Sequence, residues 1–502
     1  MIVKTQIIQG KYLDSVKLML ISKELREQEG VIDAVAILAT SENREILVAT
    51  DMMVDAISAA RETDIVIVVK AKTEDAALSA LNKAEVLLKA PAAKGSSSKV
   101  PIHNLNSALK SMNSANLCLI SVAGKYAAQE ADSALDRGLH VMIFSDNVSL
   151  EDELKLKQKA ISKGLLLMGP DCGTAIINGC PLGFANAVPK GKIGIVSAAG
   201  TGLQEVSVAI ANRGCGISQA FGTGGRDGKA EIGGIMLSAC LDFLIDDPET
   251  ELIILIGKTP DPEVRAKLWK QIAGTDKPVI VSFLQAVETP LLPNLEYIIP
   301  LDACAARACD RMGISNTEPV EQYSLLQLPP ERKYLIGLYS GGTLCYEAQN
   351  LYMQYFNSYP LSNTPILAEY KTEDVFHTKG DCFVDLGSDE FTVGRAHPMI
   401  DYSLRLKLLE QISSRGDVAL ILLDIVLGYG SNPDPAKELI PVLAHINKEI
   451  PVICHVLGTD TDPQDTRMQA GKLREAGAIV FRSHHAAADY ALRCVQQQRR
   501  NK

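Results

Sequence analysis

Two short turns in this sequence could do chemistry with their backbone alone. Ser197-Ala198-Ala199-Gly200-Thr201-Gly202 and Ser340-Gly341-Gly342-Thr343 each stand between an apolar run and an amphipathic stretch. Small side chains there let N–H groups at a helix N-terminus approach an anion, and the helix dipole adds a favourable field. Ala199, Gly200, Thr201, Gly202, Ser340, Gly341, Gly342 and Thr343 are therefore expected to bind a phosphate, an acyl phosphate or a carboxylate. A glycine after a strand can also do no more than make a tight turn. Two such turns at equivalent places favour a ligand.

Other polar groups gather at further run ends. Gly224-Gly225-Arg226-Asp227 offers a guanidinium that forks onto phosphate or carboxylate, so these four residues are candidate substrate contacts; a local Arg–Asp pair is the competing reading. The densest cluster runs from Asp385 through Asp389, Glu390, Gly394 and Arg395 to His397 and Asp401, where ligands of open α/β sheets bind. Pro398 and Asp401 also suit a helix start. Cys172 has no neighbouring histidine and is expected to be inert.

Standard nucleotide motifs fail. Gly257-Lys258-Thr259 resembles the end of a P-loop, but Leu252 occupies the place of its first glycine. Gly222-Thr223-Gly224-Gly225-Arg226-Asp227-Gly228 nearly spells GxGxxG, with Asp227 where the last glycine belongs. No GxSxG elbow and no HExxH metal motif occurs.

The elements that must position these residues follow from apolar patterning. From residue 116 onward, NLCLISVAG, LHVMIFSD, LLLMGPDCG, KIGIVSAAG, ISQAFGTGG, ELIILIGK and KPVIVSFLQ alternate with helical stretches, and the same grammar resumes in KYLIGLYSGG, DCFVDLGSDE, DVALILLDIVLG, IPVICHVLGTD and AIVFRS. Continuous apolarity marks strands buried on both faces, as in parallel sheets covered by helices. Residues 191–210, 251–263 and 277–285 parallel 333–353, 418–438 and 450–458 in order, which reads as one theme used twice. Strand and helix signals also alternate over 1–90. Linkers are placed at 90–101 and 315–332, where Ala, Pro, Gly and Ser concentrate or prolines recur. The expected domains are 1–90, an α+β unit with a ferredoxin-like fold as one option, then 100–190, 191–314 and 333–502.

Composition bounds the rest. The 502 residues hold 50 Lys+Arg against 60 Asp+Glu, a net charge of -10, one Trp and 47% hydrophobic residues. That length predicts roughly three or four domains. No basic stripe is available for nucleic acid, and no long uncharged apolar run for a membrane. Eleven scattered cysteines without a CxxC pair, and an N-terminus interrupted by Lys4, Lys11, Asp14 and Lys17, point to reduced thiols in a cytoplasmic protein.

The segments NVSLEDELKLKQKAISKGLLLMGPDCGTAIINGCPLGFANAVPKGKIGIVSAAGTGLQE, GTGGRD and DLGSDEFTVGRAHPMID resemble FdrA-type proteins, including their YahF branch, relatives of succinyl-CoA synthetase. The resemblance implies α/β architecture, with flavodoxin-like or Rossmann-like parallel sheets in tandem: a CoA-binding-like unit, an α-subunit-like ligase unit and a β-subunit-like ligase unit. It departs from that enzyme in three ways. No histidine lies between His140 and His377, so the phosphohistidine relay is missing; the ATP-grasp portion is absent; and residues 1–90 replace the first CoA-binding strand-turn-helix. The family is implicated in oxamate carbamoyltransferase activity within allantoin and purine nitrogen catabolism, one subunit working with others. The resemblance thus implies carbamoyl phosphate or another acyl phosphate as substrate, with acyl-CoA synthetase activity and a non-catalytic scaffold as alternatives. CoA is a second-ranked ligand, no metal is implied, and partner subunits or a homodimer are expected. On this reading the two turns hold phosphate, Arg226 and Arg395 neutralise phosphate or a substrate carboxylate, and His397, Asp389 or Glu390 moves a proton.

Overall fold

Each apolar run of the sequence becomes a strand. The computed structural model describes residues 2–500 apart from 12, 14, 41–42, 45–46, 49, 51, 90–103, 316–320, 393–395 and 447–449. The 90–101 linker, part of the 315–332 linker, Gly394 and Arg395 thus lie outside the described residues. The chain forms two units: residues 1–115 with 121–123 and 392–396, and the remainder.

The first unit runs β1 (Ile2–Ile8), α1 (Ser15–Arg26), β2 (Val31–Leu38), β3 (Ile65–Ala71) and α2 (Glu74–Lys89). Its antiparallel sheet has the order β1-β3-β2, with Ile2 opposite Ala71 and Leu38 opposite Ile65. The two-residue period of a strand sends alternate side chains to opposite faces. Ile65, Ile67 and Val69 pack with Leu18, Leu25, Ala77 and Ala80 from the helices, while Val66 and Val68 pack with Leu47, Met52 and Ile57. With both faces covered, the strand has no need of alternating polarity.

In the second unit β4 (Leu117–Ile120), α3 (Gly124–Asp136), β5 (His140–Ile143), α4 (Leu150–Ser162) and β6 (Leu167–Met168) build a three-stranded parallel sheet. A hairpin, β7 (Thr174–Ile177) and β8 (Cys180–Gly183), leads to β9 (Lys190–Ser197), α5 (Gly200–Asn212), β10 (Ile217–Gly222), α6 (Ile235–Asp246), β11 (Leu252–Gly257), α7 (Pro262–Ala273), β12 (Val279–Phe283), β13 (Leu295–Tyr297) and α8 (Leu301–Arg311). Then follow β14 (Tyr334–Tyr339), α9 (Gly342–Phe356), β15 (Leu361–Ser362), β16 (Cys382–Asp385), α10 (Ser403–Ser413), β17 (Val418–Val426), α11 (Pro435–Ile446), β18 (Val452–Leu457), α12 (Thr466–Glu475), β19 (Ile479–Phe481) and α13 (His484–Arg500).

The larger sheets have the orders β13-β12-β11-β9-β10-β7-β8 and β15-β16-β14-β17-β18-β19. Apart from β7, which pairs antiparallel with both β8 and β10, every pairing in both is parallel, so the α/β class with tandem parallel sheets is the observed one. Strands β10-β9-β11-β12-β13 and β16-β14-β17-β18-β19 occur in the same order, and the three sequence matches fall on β9 with β14, β11 with β17, and β12 with β18. The strands that follow β9 lie on opposite sides of it, and β14 behaves alike. Such an order reversal opens a crevice at the carboxyl end of the strand. Both small-residue turns therefore leave their sheets at equivalent crevices. β17 is buried along all nine residues, including Asp424, and a buried carboxylate demands partners.

Candidate functional site

The sequence after each central strand lacks a capping side chain, so each helix starts with bare backbone donors. Ala199 (φ −146°, ψ 116°) and Gly341 (φ −112°, ψ 109°) are the N-caps of α5 and α9, and neither helix has a side-chain cap. Their carbonyls accept the N–H of Leu203 at 3.1 Å and of Cys345 at 3.0 Å. The N–H groups of Gly200, Thr201, Gly202, Gly342, Thr343 and Leu344 have no acceptor among the described residues. The two N-termini meet reciprocally. A Cβ on Gly341 would lie 2.6 Å from Thr201 Cγ2, and one on Gly202 would lie 3.0 Å from Thr343 Cγ2, so each threonine rests where the opposing glycine lacks a side chain. An anion at this junction lies within the field of both helices.

The turns are braced differently. Ser197 Oγ accepts the Ala199 N–H at 3.0 Å, and the Ala198 N–H donates to the Ile256 carbonyl at 3.1 Å. In the second turn the Ser340 and Gly341 N–H groups donate to the Asp424 carboxylate at 2.8 and 2.9 Å, and the Ser340 hydroxyl donates to it at 2.9 Å. Arg405 Nη2 pairs with the same carboxylate at 2.6 Å, and both residues are fully buried. This corrects the expectation for three residues. Ala199, Ser340 and Gly341 have their N–H groups occupied from within the fold, and the free donors begin one residue later and extend to Leu344.

Lys258, set aside with the failed P-loop, lies at the junction. A Cβ on Gly257 would lie 3.3 Å from Ala198 Cβ, so the end of β11 flanks the first turn, and the Lys258 ammonium stands 5.4 Å over the Tyr346 ring of α9. On the other side a Cβ on Gly342 would lie 2.6 Å from Asp385 Oδ2. Burial pushes the Asp385 carboxyl up to about 6, against the Gly387 N–H at 3.0 Å and the charge of Lys258. Asp171 is exposed, and its pKa is raised by the protein around it and by Asp146 and Asp389, with Arg226 pulling the other way. Asp146, Asp171, Asp385 and Asp389 thus share one acidic neighbourhood.

The remaining expected residues separate. His397 stacks on Phe184 with ring centroids 5.4 Å apart, and burial pushes its pKa down to about 4. Its Nδ1 accepts the Met399 N–H at 3.2 Å, so the neutral ring carries its proton on Nε2 and is a donor rather than a base. Asp389 and Glu390 are exposed, at the start of the short turn Asp389–Thr392. Gly225 lies beside the first turn, its Cβ position 4.0 Å from the Ala198 carbonyl oxygen, and position 224 requires glycine, both for its φ of +87° and because a Cβ would lie 2.4 Å from the Pro170 carbonyl oxygen. Arg226 and Asp227 both have partners within the fold, Asp227 fully buried and Arg226 still 43% exposed. The Arg226 guanidinium reaches Glu153 at 2.8 Å and donates to the Val148 carbonyl at 2.8 Å. Asp227, fully buried, pairs with Lys157 at 2.7 Å and accepts the Leu237 N–H at 2.6 Å, which caps α6. Cys172 is buried and its thiol is pushed up to about 12, an inert group as expected; all eleven cysteines are free.

Known proteins share parts of this arrangement. A profile of the CoA-ligase family matches residues 338–494, and one described as the AllF heavy metal-associated domain matches residues 1–101. The uncharacterized protein YahF of Escherichia coli K12 is 40% identical over 500 residues, 96% of each chain. The chain belongs to the YahF family. Within the succinyl-CoA synthetase-like superfamily, this YahF-family chain also matches the succinate–CoA ligase subunit alpha of Aquifex aeolicus, at 28% identity over 200 residues, 38% of this chain and 63% of that one. A solved dinucleotide-forming acetyl-coenzyme A synthetase of Ca. Korarchaeum cryptofilum, in complex with phosphate and ADP, aligns over 77% of this chain and 83% of that one at 15% identity and a TM-score of 0.30. Residues 1–101 of this YahF-family chain contain neither Cys nor His, so they lack the thiolates and imidazoles that a soft metal ion takes. Among the described residues no group of three or more His, Cys, Asp and Glu could hold a metal ion, and no helix is long and apolar enough to cross a membrane.

Proposed function

We propose that this chain is the acyl-phosphate-handling subunit of a transferase, acting with partner subunits in oxamate-type carbamoyl transfer: carbamoyl phosphate plus oxamate gives oxalurate plus phosphate. The observation that supports the reading is the reciprocal meeting of two helix N-termini with six N–H groups that have no acceptor among the described residues. Phosphate held there is the leaving group, with Lys258 as its countercharge. The amide nitrogen of oxamate attacks the carbamoyl carbon, the new C–N bond forms, and the C–O bond to phosphate breaks with its electron pair leaving on phosphate. The nitrogen's proton passes to a carboxylate, for which Asp385 stands closest, buried beside Gly342 with its pKa pushed up to about 6. This proton acceptor replaces the role first expected of His397, Asp389 or Glu390. CoA-ligase relatives support a second reading, ATP- and CoA-dependent thioester formation, in which the same junction holds a phosphoryl group.

The test is phosphate release from carbamoyl phosphate and oxamate by the purified complex, alongside thioester formation from ATP, CoA and a dicarboxylate. Oxalurate is expected only with all subunits present, and Lys258→Gln is expected to lower kcat/KM by about 10–1000-fold, the range for removing one charge-stabilising donor. A complete complex that makes no oxalurate removes the first reading, and thioester in its place establishes the second.

A further inference from the structure

A second repeated feature lies one helical turn beyond the anion-facing residues. Thr201 is followed by Glu205 and Thr343 by Glu347, the same four-residue step on α5 and α9, and both carboxylates are buried. Each caps a helix of the opposite half. Glu205 Oε1 accepts the N–H of His484, the first residue of α13, at 3.0 Å; Glu347 Oε1 accepts the N–H of Leu301, the first residue of α8, also at 3.0 Å. The exchange is tied at its centre. His484 Nδ1 donates to Glu347 Oε2 at 2.5 Å, and His455 Nε2 of β18 lies 3.1 Å from Glu205 Oε2. The two imidazoles lie 5.6 Å apart between centroids, and the Tyr339 ring stands edge-on to His484 at 5.6 Å.

Among the described residues His484 is therefore the one that holds both carboxylates, Glu205 through its backbone and Glu347 through its ring. We infer that His484 is a positioning residue that locks α5 to α9, so that the two anion-facing turns keep one fixed spacing and loosen only together. The inference rests on the reading of their junction as the phosphate site. Its physical basis is the cost of separation. Drawing α5 away from α13 strips Glu205 of a donor inside the fold, and moving α13 with it strips Glu347, leaving a buried carboxylate uncompensated in either case. The fold already registers this bond: burial pushes the Glu347 carboxyl up, yet its pKa is lowered overall, chiefly by the hydrogen bond from His484.

Hydrogen exchange of the full chain, followed by mass spectrometry, tests the lock without requiring activity. In Glu205→Ala, Glu347→Ala and His484→Ala, the helix-bonded amides of residues 203–210 and 345–352 are expected to exchange at least tenfold faster together, including on the helix that was not altered. His484→Gln, which keeps a donor, is expected to restore most of the protection. Loosening confined to the altered helix, or no loosening, overturns the lock; if His484→Ala does not fold, the two Glu→Ala variants decide alone. Titration with inorganic phosphate separates the underlying reading: paired loosening without any phosphate binding by the unaltered chain leaves the lock standing and removes the phosphate site.

Discussion

The turn after β9 and the turn after β14 have the same small residues, the same place in their sheets and opposite electrostatic surroundings. The first is braced by neutral groups, the Ser197 hydroxyl and the Ile256 carbonyl. The second rests on the Asp424 carboxylate, balanced by Arg405, and has Asp385 against its first helical residue. A helix N-terminus attracts anions through unshared N–H groups and its dipole. Around α5 that attraction is undiminished, while around α9 a nearby carboxyl opposes it by an amount that depends on its protonation. The two turns are thus equivalent in backbone and unequal in the charge beside them.

The largest expected effect comes from removing the charged brace. Asp424→Ala leaves a buried guanidinium and two N–H groups without their acceptor, and should lower unfolding free energy by about 3–5 kcal/mol. Ser197→Ala in the other turn should cost about 1 kcal/mol. Denaturant titrations of both variants measure the difference, and equal costs would erase the proposed asymmetry.

A smaller effect concerns affinity. Asp385→Asn removes the carboxylate beside Gly342 and should tighten sulfate binding about tenfold, the equivalent of one pKa unit. Sulfate keeps its double charge across the range, so binding to the unaltered chain should tighten as pH falls through about 6, where Asp385 takes up its proton, and the Asn variant should lose that slope. Calorimetric titration between pH 5 and 8 would decide it; a slope retained in Asp385→Asn assigns the titration to another group.

The smallest effect concerns the Glu205–His455 pair and pH. Burial works against the charged form of His455, but Glu205 prevails and its pKa is raised above the ordinary 6.5. A raised folded-state value means that this pair's contribution is complete below 6.5 and is lost as pH climbs through the folded-state pKa. The Tm should therefore decline over that alkaline interval by a few degrees, and Glu205→Gln should flatten the decline. An unchanged profile in the variant would remove His455 as its source.

Much of this was legible before any coordinates. Runs such as VALILLDIV are apolar because they are covered on both faces, which is the signal that betrays a parallel strand. The three-residue β13, the two-residue β15 and the four-residue hairpin strands around Asn178-Gly179 are too short to show a period. The two turns were readable from their small residues, but which N–H groups remain unoccupied was not, because Asp424 lies 84 residues beyond Ser340. Arg226 and Asp227 read as a free pair because their partners, Glu153 and Lys157, sit on a helix far upstream. Lys258 was overlooked for want of a P-loop, though its place directly after a buried strand was a sign. The Thr-to-Glu step repeated at 201–205 and 343–347 was equally readable.

Both large parallel sheets belong to one polypeptide, connected through residues 312–333, whereas the Aquifex aeolicus relative is a subunit of its enzyme. A covalent tether turns the meeting of α5 and α9 into an intramolecular event, for which short linkers supply effective concentrations on the order of millimolar. Dilution alone should therefore never take the two N-termini apart. The assembly of this junction is indifferent to expression level.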